Sequence, residues 1–435
     1  MKNTVKKFFT LLLLYIIMFL NSTIVINAQD FEIFAPSAVL IDAKTGTILF
    51  EKNKDEKHFP ASTTKIMTTL LTLENCKNLE DKVKMSHNAI YSIEPGSSHI
   101  AMNEGETLTV EQSLYGLLLA SANEVANALA EYISTNINDF CKLMNERAKQ
   151  LGCKNTNFVN AHDFHNENHY TSAYDLALIM KEDIKYEEFN KIISTKRYDI
   201  PPTEKQPETR ILYNTNKMIQ SGKYFNENVI GGKTGYTDEA GHTLVIYAKK
   251  NDMQLISVVM AEENSNAYLD TTKLLDYGFS KFHNVELLKT NDYQKNCVVT
   301  QKYKNKTLDI DTVNIYPQKD IILNLPDSIN KEDLKLTAKL PEKISAPVNK
   351  NKSVGQISVI YKNQILEKIN LVPEENINVL DEKVIAKINR NQVIHKIFFT
   401  SIKILSYSAL FIGIIIIIAI LIRKFNIWRN KKRRR

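Results

Sequence analysis

Residues 404–422 form an uncharged run of 19 residues with five consecutive isoleucines, and eight basic residues follow between Arg423 and Arg435. At about 1.5 Å of rise per residue, a helix of that length crosses the roughly 30 Å apolar layer of a bilayer. Basic residues directly beyond a span hold that end in the cytoplasm. Because the cluster abuts the span, a nucleic-acid arm is the weaker reading of it. At the other end, Lys2, Lys6 and Lys7 precede an apolar run over residues 8–20, and Ile26-Asn27-Ala28 offers a cleavage site. This is the pattern of a secretory signal over residues 1–28. Its apolar run falls short of the roughly 20 residues an uncleaved anchor requires. The sequence therefore predicts a body, residues 29–403, outside the cell on a single C-terminal anchor.

A chain of 435 residues exceeds one compact domain, and 43% apolar with 24% charged residues is enough to pack a core. The formal charge of +7 comes from the two ends. The exported body is mildly acidic, which argues against a groove for nucleic acid. Cys76, Cys141, Cys153 and Cys297 are far apart and include no Cys-x-x-Cys, so buried free thiols and disulfides both remain open.

Within the body, residues 37–42 and 47–51 read as a hairpin around Lys44-Thr45-Gly46. Helical periodicity runs from Pro60 to Glu74, then over 112–120 and 125–133, and again from Ser172 to about Lys181. Strand-like stretches follow at 229–235, 243–248 and 255–260, with a last helix near 271–276. From about residue 283 the pattern becomes all-β, with runs at 298–302, 320–325, 356–361 and 365–372. Predicted boundaries are thus 30–282 for a mixed α/β domain, 283–380 for a β domain and 381–403 for an amphipathic connector. The span at 404–422 and the tail at 423–435 complete the chain.

Three short motifs carry chemistry. Ser62-Thr63-Thr64-Lys65 lies where Pro60 opens a helix, and three residues are nearly one turn, so Lys65 shares a face with Ser62. A serine hydroxyl needs a base held beside it, and an amine serves as one only when uncharged. Backbone N–H groups at the helix start can meet an oxyanion near Ser62. Ser121-Ala122-Asn123 falls between two helices, and Lys233-Thr234-Gly235 on a late strand. Each pattern recurs as turn or cap chemistry: Ser328 precedes Lys331 at the same spacing, Lys44 opens a second Lys-Thr-Gly, and Ser86 and Ser134 begin further Ser-x-Asn triplets. The order of the three is more telling than any one of them.

In that order the chain resembles the exported D-alanyl-D-alanine carboxypeptidases, the low-molecular-weight penicillin-binding proteins. Phe59-Pro60-Ala61-Ser62-Thr63-Thr64-Lys65-Ile66-Met67-Thr68 is similar to the family's nucleophile helix. Lys233-Thr234-Gly235-Tyr236-Thr237, with Ala240-Gly241 and Leu244-Val245, is similar to its substrate strand. The resemblance implies a catalytic domain of the β-lactamase/DD-peptidase type: an antiparallel sheet flanked by helices plus a helical lobe, then a small all-β domain. It implies Ser62 as nucleophile, Lys65 as base and Ser121 as proton relay. Asn123, Lys233, Thr234, Gly235 and Tyr236 would bind substrate. The ligands implied are peptidoglycan stem peptides, with β-lactams as covalent inhibitors, and neither metal nor organic cofactor is required.

One segment departs from the family. Where it has His-Gly-Leu, this chain has His162-Asp163-Phe164, which puts loop geometry in question. His162, His165 and His169 with Asp163 and Glu167 also offer a rival metal-site reading. Glu167 is the one loop candidate for activating a deacylating water, as in a class A-like β-lactamase. A wall-binding protein without turnover is a third reading, opposed by the presence of Ser62, Lys65, Ser121 and Lys233. Asn214-Thr215-Asn216 is read either as pocket lining or as an exposed turn.

Overall fold

A computed structural model describes residues 32–433, apart from 135, 163, 264, 265 and 363. The signal segment 1–28 and the last two arginines lie outside the described residues. The chain divides into two compact units at His283/Asn284.

The first unit is built on a five-stranded antiparallel sheet. Its strands are β1 (Ser37–Asp42), β2 (Ile48–Lys52), β3 (Val229–Thr237), β4 (Gly241–Lys250) and β5 (Met253–Glu262), in the order β2-β1-β5-β4-β3. All six residues of β1 are buried, because helices cover both faces of the sheet. Successive side chains point to opposite faces. Val39 and Ile41, with Val245, Ile256 and Val258, enter one core; Ala38 and Leu40, with Leu244, Ile246 and Leu255, enter another.

The first core is shared with a helical lobe. Its helices are α1 (Thr64–Asn75), α2 (Val110–Leu119), α3 (Asn123–Ile133), α4 (Ile137–Gln150), α5 (Ala173–Asp183) and α6 (Glu187–Ser194). Leu114, Leu118, Val125, Leu129, Phe140 and Met144 supply its interior. Local chemistry sets the helix starts: Thr109 and Gln112 form a capping box before α2, and the Ser172 hydroxyl accepts the Asp175 N–H before α5. The second core lies under α7 (Ala267–Lys281). There Gly278 lets the helix approach so closely that an added Cβ would sit 2.6 Å from Leu255 Cδ1.

The second unit contains a six-stranded sheet of β6 (Lys295–Tyr303), β7 (Lys306–Pro317), β8 (Leu334–Lys339), β9 (Lys343–Ser345), β10 (Gly355–Tyr361) and β11 (Gln364–Pro373). The order is β8-β10-β11-β7-β6-β9, antiparallel except for the β6–β9 pair. Val299, Val313, Ile315, Val359, Ile369 and Leu371 form its core. One helix, α8 (Glu382–Arg433), then runs through both the stretch read as a connector and the apolar run. It is the one helix among the described residues long and apolar enough to cross a membrane.

The structure differs from the sequence reading at several points. The helix expected from Pro60 begins as a 3-10 turn over Ala61–Thr63, and α1 starts only at Thr64. Ala61 has φ +48°, which no α-helix accommodates. Helices α4 and α6 and strands β7 and β8 are additions to the sequence reading, although both helices are amphipathic. All four cysteines are free thiols, so the disulfide alternative falls away.

Candidate active site

The segment before α1 is fixed by its own hydroxyls. Thr63 Oγ1 donates to the Pro60 carbonyl at 2.6 Å and Thr64 Oγ1 to the Ala61 carbonyl at 2.9 Å. From the other side, β3 presses on this turn. A Cβ placed on Gly235 would meet the Pro60 oxygen at 3.0 Å and the Ser62 nitrogen at 3.1 Å, so only glycine lets the strand come this close.

On that turn Ser62 is 5% exposed, and Lys65, on the first turn of α1, is fully buried. Lys65 Nζ donates to Ser62 Oγ at 2.8 Å. The Ser121 hydroxyl, between α2 and α3, donates to the same oxygen at 2.7 Å. Ser121 reaches it from a left-handed backbone, φ +62°, in a turn where the Ala122 N–H bonds to the Gly116 carbonyl.

Asn123 opens α3 and is 1% exposed, its N–H bonded to the Ser98 carbonyl at 2.9 Å. The segment bearing Ser98 is anchored by charge. Arg210 donates to the Ile100 and Ala101 carbonyls and to both oxygens of Glu106. Burial by itself raises the pKa of Glu106, but the hydrogen bonds from Arg210, Thr203 and the Asn103 N–H hold its carboxyl below the ordinary range.

On β3, Lys233 is 1% exposed and its Nζ donates to the Thr234 carbonyl at 2.7 Å. Thr234 Oγ1 lies 2.9 Å from Thr215 Oγ1, and the Thr215 N–H bonds to the Leu119 carbonyl at the end of α2. Asn214-Thr215-Asn216 thus touches the Lys-Thr-Gly strand through the exposed Thr215, while Asn214 and Asn216 are buried. Tyr236 is largely exposed; its ring packs on His242 with centroids 4.6 Å apart. Burial lowers the pKa of His242, and the nearby Lys217 charge lowers it further. Ser62, Lys65 and Ser121 are thus in direct contact, and Gly235 brings β3 against their turn.

A buried serine oxygen bonded by a lysine amine and a second hydroxyl, beside a Lys-Thr-Gly strand, has counterparts among known proteins. A family model described as D-alanyl-D-alanine carboxypeptidase matches residues 24–264, more than half of the chain. The chain belongs to the D-alanyl-D-alanine carboxypeptidase family. It is a serine peptidase, and a second family model, penicillin-binding protein 5, C-terminal domain, matches residues 287–379. The D-alanyl-D-alanine carboxypeptidase DacF of Bacillus subtilis is 36% identical over 350 residues, 79% of this chain and 85% of that one. DacA of Escherichia coli is 30% identical, covering 78% of this chain and 83% of its own. Penicillin binding protein 5 from Haemophilus influenzae superposes with a TM-score of 0.69 at 28% identity, over 81% of this chain and all of that structure.

In this carboxypeptidase the polar loop before α5 supports the nucleophile turn. His169 Nε2 pairs with Thr64 Oγ1 at 2.8 Å, and its Nδ1 accepts the Val159 N–H at 3.1 Å. The Ala161 carbonyl accepts Thr68 Oγ1. His162 Nδ1 accepts the Phe164 N–H, and His165 packs edge-on against Phe59. The three histidines have separate partners, and among the described residues no three His, Cys, Asp or Glu side chains group as ligands for one metal. Asp163 itself is outside the described residues. The Ser98 carbonyl and the Glu106–Arg210 pair escaped sequence reasoning, because contacts across 104 positions leave no local signal.

Proposed function

We propose that this protein removes the terminal D-alanine from peptidoglycan pentapeptide stems through an acyl-enzyme on Ser62. The observation that carries the reading is the convergence of Lys65 Nζ and Ser121 Oγ on one buried serine oxygen. Ser62 Oγ attacks the carbonyl carbon between the two D-alanines as its proton passes to Lys65. The tetrahedral oxyanion is met by the backbone N–H groups of Ser62 and Tyr236. Collapse breaks the C–N bond, and the leaving amine takes a proton relayed through Ser121. Water then attacks the ester, with Lys65 as base again, and frees Ser62.

A lysine acts this way only as a neutral amine. Burial and a second cation both favour that form; Lys65 is fully buried, and Lys233 is the second cation. Lys233 and Thr234 hold the terminal carboxylate, Asn123 bonds the substrate amide or orders Lys65, and Gly235 with Tyr236 presents the strand edge to the peptide. A β-lactam ring offers the same carbonyl to Ser62 and acylates it. No step calls for a metal or organic cofactor.

The same proposal includes the cellular setting. The span in α8 anchors the protein in a bilayer with a cytoplasmic tail, and the catalytic domain, 30–282, and β domain, 283–380, work outside. D-Alanine release from a synthetic pentapeptide, with intact mass and peptide mapping after penicillin treatment, tests it. Release together with an adduct on the Ser62 peptide, both lost in Ser62→Ala, supports the reading. An adduct elsewhere, or release by Ser62→Ala, overturns it. Penicillin hydrolysis without D-alanine release gives the protein to the β-lactamases instead.

A further inference from the structure

The turn that carries Ser121 is short of local support. It fills the three-residue break between Leu119 at the end of α2 and Asn123 at the start of α3. Ala122, the residue before α3, has no side chain to cap the helix. Ser121 itself has φ +62°, a conformation that a residue with a Cβ keeps only where its surroundings impose it.

The constraint comes from a residue outside the three motifs. Glu124, on the first turn of α3, is 1% exposed, and its Oε1 accepts the Ile100 N–H at 2.7 Å. Ile100 is then gripped at two further points. Arg210 Nε donates to its carbonyl at 2.9 Å, and its side chain packs against α2, where a Cβ on Gly116 would lie 3.0 Å from Ile100 Cδ1. Gly116 supplies the carbonyl that accepts the Ala122 N–H at 3.1 Å. Two positions before Ile100, the Ser98 carbonyl accepts the Asn123 N–H. The segment 98–101 therefore reaches the Ser121 turn through both Ser98 and Ile100, and Glu124 is what holds its N–H side.

The other carboxyl oxygen of Glu124, Oε2, is buried with no hydrogen-bond partner among the described residues. One turn along the same face of α3, the buried Asn127 Oδ1 lacks one as well. A proton on Oε2 gives that face the donor it is missing. Burial pushes the pKa of this carboxyl up, against the bond from Ile100 that favours the carboxylate.

We propose that Glu124 is a positioning residue for proton transfer: through Ile100 it keeps the Ser121-Ala122-Asn123 turn, and so the Ser121 hydroxyl, on the Ser62 oxygen. It does so as a hydrogen-bond acceptor of the right length, not as a charge. The inference rests on the carboxypeptidase reading and adds to it a residue that touches neither substrate nor nucleophile.

D-Alanine release from a synthetic pentapeptide by the full-length protein tests it. Rates are expressed per site titrated to completion with penicillin, so misfolded protein does not count. Glu124→Leu, similar in size but without an acceptor, should lower kcat roughly tenfold and change KM by less than about twofold, a part of what losing the relay outright costs. Glu124→Gln keeps the acceptor and offers an N–H donor in place of Oε2, so its kcat should stay within about threefold of native. In a Ser121→Ala background, Glu124→Leu should change kcat by less than about twofold, because no hydroxyl is left to misplace. An unchanged kcat in Glu124→Leu, a loss of about tenfold in Glu124→Gln, or the same loss with and without Ser121 overturns the proposal. Where Glu124→Leu gives no titratable sites, Glu124→Gln carries the test by the same limits. If the native protein releases no D-alanine, the carboxypeptidase reading falls and this inference falls with it.

Discussion

The Ser121 hydroxyl donates to the Ser62 oxygen at 2.7 Å, although 59 positions separate the two residues. The contact depends on the left-handed backbone of Ser121, which turns its side chain back across the break between α2 and α3. Lys65 bonds the same oxygen from the opposite side of the turn.

Removing the relay should leave a nucleophile with its base but without an exit for the proton. Ser121→Ala is expected to lower kcat for D-alanine release by about 10²-fold or more, the range of a lost general acid. Because the leaving amine is what needs that proton, KM should change less than kcat. Steady-state kinetics beside a thermal melt would check it; an unchanged kcat in a folded variant removes Ser121 from the chemistry.

Gly235 tests the approach of the strand. A methyl group there meets the Pro60 oxygen at 3.0 Å and the Ser62 nitrogen at 3.1 Å, so Gly235→Ala must push β3 and the turn apart. Relieving these contacts takes a few tenths of an ångström, and since about 1 Å costs on the order of 100-fold in rate, the loss expected here is several-fold. Penicillin acylation measured by stopped-flow fluorescence should slow by that much while the melting temperature changes little. Normal acylation would show that the turn yields freely.

A third prediction concerns pH. Asp183, at the end of α5, is fully buried, and neither of its carboxylate oxygens has a hydrogen-bond partner among the described residues. Burial, helped by the charges of Glu74 and Glu182 and opposed by Arg147, pushes its pKa well above the usual carboxylate value of 3.8. A group raised in the folded state contributes most below its unfolded value, and that contribution is lost as pH rises toward the folded one. Asp183→Asn should therefore be more stable than the native protein at pH 7.5, with the difference shrinking toward pH 4. Urea unfolding at the two pH values would measure it, and a pH-independent difference would contradict it.

The sheet and the order of the motifs were legible because they are local. Near-continuous apolar runs over 243–248 and 255–260 mark strands buried on both faces, and Ser62 with Lys65 is a one-turn spacing. The geometry that joins them was not legible. Left-handed Ala61 and Ser121 carry no glycine to flag them, and the helix expected from Pro60 is interrupted by tertiary contact with Gly235. Helix α4, polar overall, does carry a helical period, with Phe140, Met144 and Ala148 on one buried face. The Glu106–Arg210 pair is a product of folding, not of sequence neighbourhood. The connector and the span, which the sequence separates by charge, fall within one helix, α8.

Ala61 and Ser121, the two positive-φ positions flanking the nucleophile, also bear on how this enzyme can change. Each holds a conformation worth about 1–2 kcal/mol less than a relaxed one for a residue with a Cβ. Selection for heat resistance alone would relax both positions early, and the hardier descendants would be poorer catalysts. Robustness and turnover thus pull against each other at the same two peptide units.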